Sequence, residues 1–169
     1  MRRLSTLKTL TDIFFFMSLL VLFFGIPFIL IVAFMPKRVP FEIMGDSVEG
    51  REGVELVILL IILLIAYAFW VYALYQFRKV LELFQKKNFF DERVVKHLDQ
   101  IGKAIIIGLF IAVVPVFFYK VVAEAHMKLE VSLGFDSVFF ILGLGLFFMA
   151  LSDIFLAAKM MKEENDSTI

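Results

Sequence analysis

The sequence contains no cysteine. It can therefore build no disulfide, no thiolate metal site and no thiol nucleophile. Charge is scarce as well. Only 20% of the 169 residues are charged, and 17 basic residues balance 17 acidic ones. A soluble globular domain carries about 25%, and a net charge of zero supplies no field for broad electrostatic capture of nucleic acid. No direct nucleic-acid contact is expected. Histidine is limited to His97 and His126, and neither stands in an H-E-x-x-H spacing. A G-x-S-x-G elbow, a Gly-rich phosphate cradle and a repeated His/Asp cluster are all missing. The chain reads as non-enzymatic, with no catalytic residue, no metal and no cofactor expected.

What the sequence has in excess is apolar side chains: 62% of residues are hydrophobic, and 22 are phenylalanine. They fall into four blocks that a soluble core of this size could not absorb. A membrane-crossing helix needs about 20 apolar residues, within a range of about 17–25. Spans are expected at about 12–35, 54–76, 103–123 and 136–159. The third reaches full length only if Lys120 snorkels its ammonium to the interface, and the fourth only by tolerating Asp153. The first block is too long for a secretory h-region and ends without a small-x-small cleavage pattern. The expected fold is an all-α membrane protein. It is a four-transmembrane-helix up-down bundle forming one domain over 1–169, with the lipid bilayer as its first partner.

Basic residues set the orientation. With the N-terminus inside, the inner segments hold 12 Lys and Arg, and the outer loops 5. Short loops retain positive charge on the cytoplasmic side. Both termini are therefore expected in the cytoplasm. Tyr67, Trp70, Tyr72 and Tyr75 gather at the inner end of the second span, as an interfacial aromatic belt does.

The inner loop at 77–102 is amphipathic. Phe77, Val80, Leu81 and Phe84 recur at the spacing of one helix face, so the second span is expected to continue as helix until Asn88 breaks it. Asp91 is a good N-cap for the next helix, with Phe90 and Val95 placed as a hydrophobic staple. Val94, Val95, Leu98 and Ile101 form that helix's apolar stripe. The outer loops, 36–53 and 124–135, show a different period. Alternation at 38–43 and 127–133 is the signal of half-buried strands. A small two-stranded β patch is expected to tie the two loops together. Ala104, Gly108 and Ala112 form a small-residue row that lets another helix approach the third span closely. Pro27 and Pro115 each remove a helical hydrogen bond and are expected to kink their spans.

An ionisable residue inside a span is a candidate functional residue. Asp153 is the leading case, with Asp12 and Lys103 at the matching ends of their spans. The three form a candidate intramembrane polar site, with Asp153 expected to face the bundle interior or the inner interface, close to Asp12, Lys103 or a tail lysine. Phe84, Phe89 and Phe90 of the inner loop, with Asn165 and Asp166 of the tail, form a candidate partner surface. Aromatic anchors supply most of the affinity in many interfaces.

Two segments together resemble a known family. One is Lys79-Val80-Leu81-Glu82-Leu83-Phe84, Asn88-Phe89-Phe90 and His97-Leu98-Asp99-Gln100-Ile101-Gly102. The other is the tail Glu164-Asn165-Asp166-Ser167-Thr168-Ile169. The pattern resembles the bacterial membrane family Domain of Unknown Function 2975, with Ser167 standing where the family tail has Leu. The resemblance implies four spans, a buried Phe in the inner loop and residence in the bacterial inner membrane. It brings no known activity. Its members are often encoded beside a small helix-turn-helix regulator, which implies a regulatory partner of that kind. Two functional readings follow. The first is a regulatory or scaffold module that binds a cytosolic protein through its inner loop and tail. The alternative is a small transporter, channel or tolerance factor that works as a homo-oligomer.

Overall fold

The computed structural model describes residues 2–34, 42–43, 46–47, 53–123 and 135–167. Most of these lie in four long helices: α1 (Arg2–Phe34), α2 (Gly53–Gln85), α3 (Glu92–Ala123) and α4 (Phe135–Asp166). Each is long and apolar enough to cross a membrane. In hydrocarbon every backbone N–H and C=O must be satisfied within the segment, and a helix does that. α1 and α3 continue as helix through Pro27 and Pro115.

The turn between α2 and α3 is built from local chemistry. The Lys87 N–H donates to the Phe84 carbonyl at 3.1 Å and the Asn88 N–H to the Leu83 carbonyl at 3.0 Å. This pair of bonds is a Schellman closure. Lys87 itself takes the left-handed conformation, φ 61°. Four residues later Asp91 caps α3. Its Oδ1 accepts the Arg93 N–H at 2.9 Å, satisfying a donor that the first helical turn leaves open.

Consecutive helices pack in chain order, α1 on α2, α2 on α3 and α3 on α4, and α1 makes no backbone contact with α4 among the described residues. The pairings are antiparallel. Asp12 and Phe15 meet Arg78 and Tyr75, while Ile29 and Val32 pack with Leu56 and Leu60 at the other end. The main core joins α2, α3 and α4. Val80, Leu83, Val94, Leu98 and Ile101 are buried at its centre, and Phe77 and Phe84 reach across to Phe148 and Phe155. The helices thus alternate in direction as an up-down arrangement requires, but α1 does not close it against α4. Only 6% of the most apolar stretch of α1 is buried, against 33% for α2 and 39% for α3.

The expected β patch between the outer loops finds no support. The ladder that is present is local and two residues long. β1 (Glu42–Ile43) pairs antiparallel with β2 (Asp46–Ser47), Glu42 opposite Ser47 and Ile43 opposite Asp46. Both strands belong to the connection between α1 and α2, where a short link makes local closure the cheaper pairing. Residues 38–41 and 127–133 lie outside the described residues.

Candidate functional site

The site that the side chains build lies at the end of the molecule carrying the α2–α3 turn, the start of α1 and the end of α4. Phe84 ends the apolar face of α2 and stacks on Phe155 of α4, ring centroids 5.7 Å apart. Phe89, in the turn, also packs on Phe84, its ring tilted and 5.4 Å away. Phe90 follows, immediately before the Asp91 cap. With Ile154, Phe155 and Ala158 these rings line an open apolar groove of about 330 Å³. Phe84 contributes to the core, but Phe89 and Phe90 keep 40% and 43% of their surface exposed. The turn holds them there: the Schellman closure fixes the chain before Phe89, and the Asp91 cap fixes it after Phe90.

Charges rim the groove. The Lys162 ammonium stands 5.4 Å from the centre of the Phe90 ring, a cation–π distance. Lys159 bridges Glu92 at 3.5 Å and Glu163 at 3.6 Å, tying the last turns of α4 to the first turn of α3. Arg93 grips Asp91 through Nη2 at 2.6 Å. Those side-chain and backbone hydrogen bonds hold the Asp91 carboxyl at about 2, well below its ordinary value. Asn165 and Asp166 are exposed in the last turn of α4, beyond the groove rather than in its lining.

The expected polar trio does not assemble. Asp12 accepts a hydrogen bond from Arg78 Nε at 2.5 Å, and the Arg78 guanidinium lies 4.5 Å from the centre of the Phe15 ring. Lys103 pairs with Asp99 one turn back on its own helix, at 2.7 Å. Asp153 is exposed, with no ion pair or hydrogen bond among the described residues. The reason is angular. Asp153 is two residues from Phe155, about 200° around the helix, so seating Phe155 on Phe84 turns Asp153 outward.

Other polar residues do cross the helix interfaces. Gln76 Nε2 donates to Gln100 Oε1 at 2.6 Å and to the Tyr72 hydroxyl at 2.5 Å, linking α2 to α3. The buried Ser152 hydroxyl donates to the Val95 carbonyl at 2.8 Å, linking α4 to α3. Gln76 and Ser152 could have been read as polar residues at the ends of apolar blocks, but Arg78 and Gln100 lie in the polar inner loop, where the sequence sets neither apart from its charged neighbours. No group of three His, Asp or Glu side chains suited to a metal ion occurs among the described residues.

A family model described as a protein of unknown function, DUF2975, matches residues 5–169. The chain belongs to the DUF2975 family. The match covers essentially all of it, including the Phe-bearing turn and the tail. No curated protein and no solved structure matches this DUF2975 chain. The four apolar helices mark it as a multi-pass membrane protein.

Proposed function

We propose that this DUF2975 protein is a non-enzymatic regulatory or scaffold module of the bacterial cytoplasmic membrane. Both termini lie in the cytoplasm, and a cytosolic protein docks on the inner face. One observation carries the reading. The three phenylalanines of the inner loop meet α4 in an open apolar groove, at the end where most of the basic residues lie. A groove of about 330 Å³ suits one or two apolar side chains of a partner, at the small end of ligand sites, which run about 300–1,000 Å³. The rim charges contribute register rather than affinity, since exposed pairs are worth only about 0–1 kcal/mol each. By family resemblance a small helix-turn-helix regulator is the first partner to try.

Two experiments test this. A reporter fused after Ile169 should read cytoplasmic and one inserted near Gly50 external; an external C-terminus overturns the orientation. Phe89→Ala and Phe90→Ala should reduce co-purification of the soluble partner at least tenfold, a loss of about 1.4 kcal/mol, while membrane abundance stays at the wild-type level. Unchanged capture by both variants removes the groove from the interface.

A further inference from the structure

The packing order leaves α1 and α4 at two free edges of the molecule. The free edge of α4 is apolar along most of its length: Phe139, Leu146, Leu156 and Met160 are all exposed. Asp153 interrupts this stripe. About three turns later Glu164 returns to the same edge. The two cations of this stretch are turned elsewhere, Lys159 toward Glu92 of α3 and Lys162 over Phe90. The edge therefore presents carboxylates without basic residues between them. A carboxylate on a membrane helix normally faces protein or pairs with a cation, and among the described residues of one copy Asp153 does neither.

The free edge of α1 has the opposite character. Its first turn holds no acidic residue. Arg3 is exposed and lies nine residues before Asp12, about two and a half turns. It therefore points away from the Arg78 pair. Further along this edge Leu10, Ile13 and Met17 are exposed. The heights correspond as well. Phe77 with Phe148 and Phe84 with Phe155 set the register of α4 on α2, and Asp12 with Arg78 sets that of α1 on α2. Followed along these pairings, Asp153 lies level with Lys8, and Arg3 falls between the levels of Asp153 and Glu164.

We propose that the outer edge of α4 packs against the outer edge of α1 from a second copy of this chain, with Asp153 facing the exposed Arg3 in the first turn of that α1. The contact joins two different edges, so it is head-to-tail and generates a ring if the rotation closes. It stands apart from the groove and involves none of the groove's phenylalanines.

The absence of native cysteine makes the test direct. Met17 and Leu146, exposed on the two edges at nearly the same height, are replaced together, Met17→Cys with Leu146→Cys. Bridging within one chain is blocked by the separation of α1 from α4. Mild oxidation of native membranes should give dimers and a ladder of larger species, whereas neither single variant gives a ladder. Asp153→Asn or Asp153→Lys in the two-thiol background should lower the yield severalfold, and adding Arg3→Glu to Asp153→Lys should restore it. Absence of cross-linked species from membranes holding normal amounts of the protein overturns the proposal. So does a yield that Asp153→Lys leaves unchanged.

Discussion

Lys87 is an expensive residue in its position. An L side chain at φ 61° crowds the following carbonyl, at a cost of about 1–2 kcal/mol that glycine escapes. Glycine loses more backbone freedom on folding, so Lys87→Gly should raise the unfolding free energy by up to about 1 kcal/mol, read from denaturant unfolding in detergent. Asp91 next to it works in the stabilising direction. Its removal in Asp91→Ala should cost about 1 kcal/mol, the usual value of a cap. Its folded carboxyl titrates at about 2, below the ordinary 3.8. The stability it supplies is therefore complete above about pH 4 and is lost as pH falls through about 2. Wild type should lose this contribution over that window, and Asp91→Asn should not. Asp91 was legible because a cap needs only a carboxylate before an amphipathic run. The left-handed residue that breaks the helix was read one position late, at Asn88 instead of Lys87, because asparagine takes that conformation more readily than lysine. The bonds to Leu83 and Phe84 decided it instead. The polar trio misled for a related reason: hydropathy marks a charge inside a span but not the side of the helix it occupies.

At the scale of helices, the contacts turn on a few glycines. A Cβ on Gly108 would sit 3.2 Å from the Ala66 carbonyl oxygen of α2, so the small-residue row Ala104, Gly108, Ala112 does mark a close crossing. Gly102 and Gly145 make a second one, between α3 and α4, that the row did not reveal. A Cβ on Gly102 would fall 2.6 Å from the Gly145 carbonyl oxygen. A backbone atom cannot rotate aside as a side chain can. Helix association in lipid rests on such close packing rather than on the hydrophobic effect. Gly102→Ala should therefore destabilise by about 1–3 kcal/mol. Gly143→Ala, which meets nothing within 4 Å, should be neutral or slightly stabilising. Comparable losses from the two variants would show that the crossing is not the determinant. Gly102 escaped notice because it sits in the charged stretch before the third apolar block, where a glycine reads as loop.

Over the whole molecule, the number, length and direction of the helices were legible from the apolar blocks, but their neighbours were not. A helix that is apolar all round shows no stripe to name the side it buries, and α1 is such a helix. Its attachment rests on two separated clamps, Ile29 and Val32 on Leu56 and Leu60 at one end, Asp12 with Arg78 at the other. Arg78→Ala should remove about 1–3 kcal/mol, the range for a charged hydrogen bond whose partner is stranded. The loss should be confined to the first half of α1. Hydrogen exchange should quicken there and leave the α2–α3–α4 core protected. Faster exchange throughout the core would show that α1 is integral to it.

The same chain-order packing bears on how the molecule is made. Among the described residues, every backbone contact between helices joins a helix to the one synthesised just before it. The first helix does not have to wait for the last, as it must in a closed ring, although Phe77 and Phe84 of α2 gain Phe148 and Phe155 only with α4. Both clamps of α1 are available once α2 has left the ribosome, while Ser152 reaches the Val95 carbonyl only when α4 arrives. A nascent chain stalled beyond Gln85 should already resist proteolysis as a helical hairpin. One stalled before α4 should expose its third helix, still without the partner that Gly102 is shaped to receive.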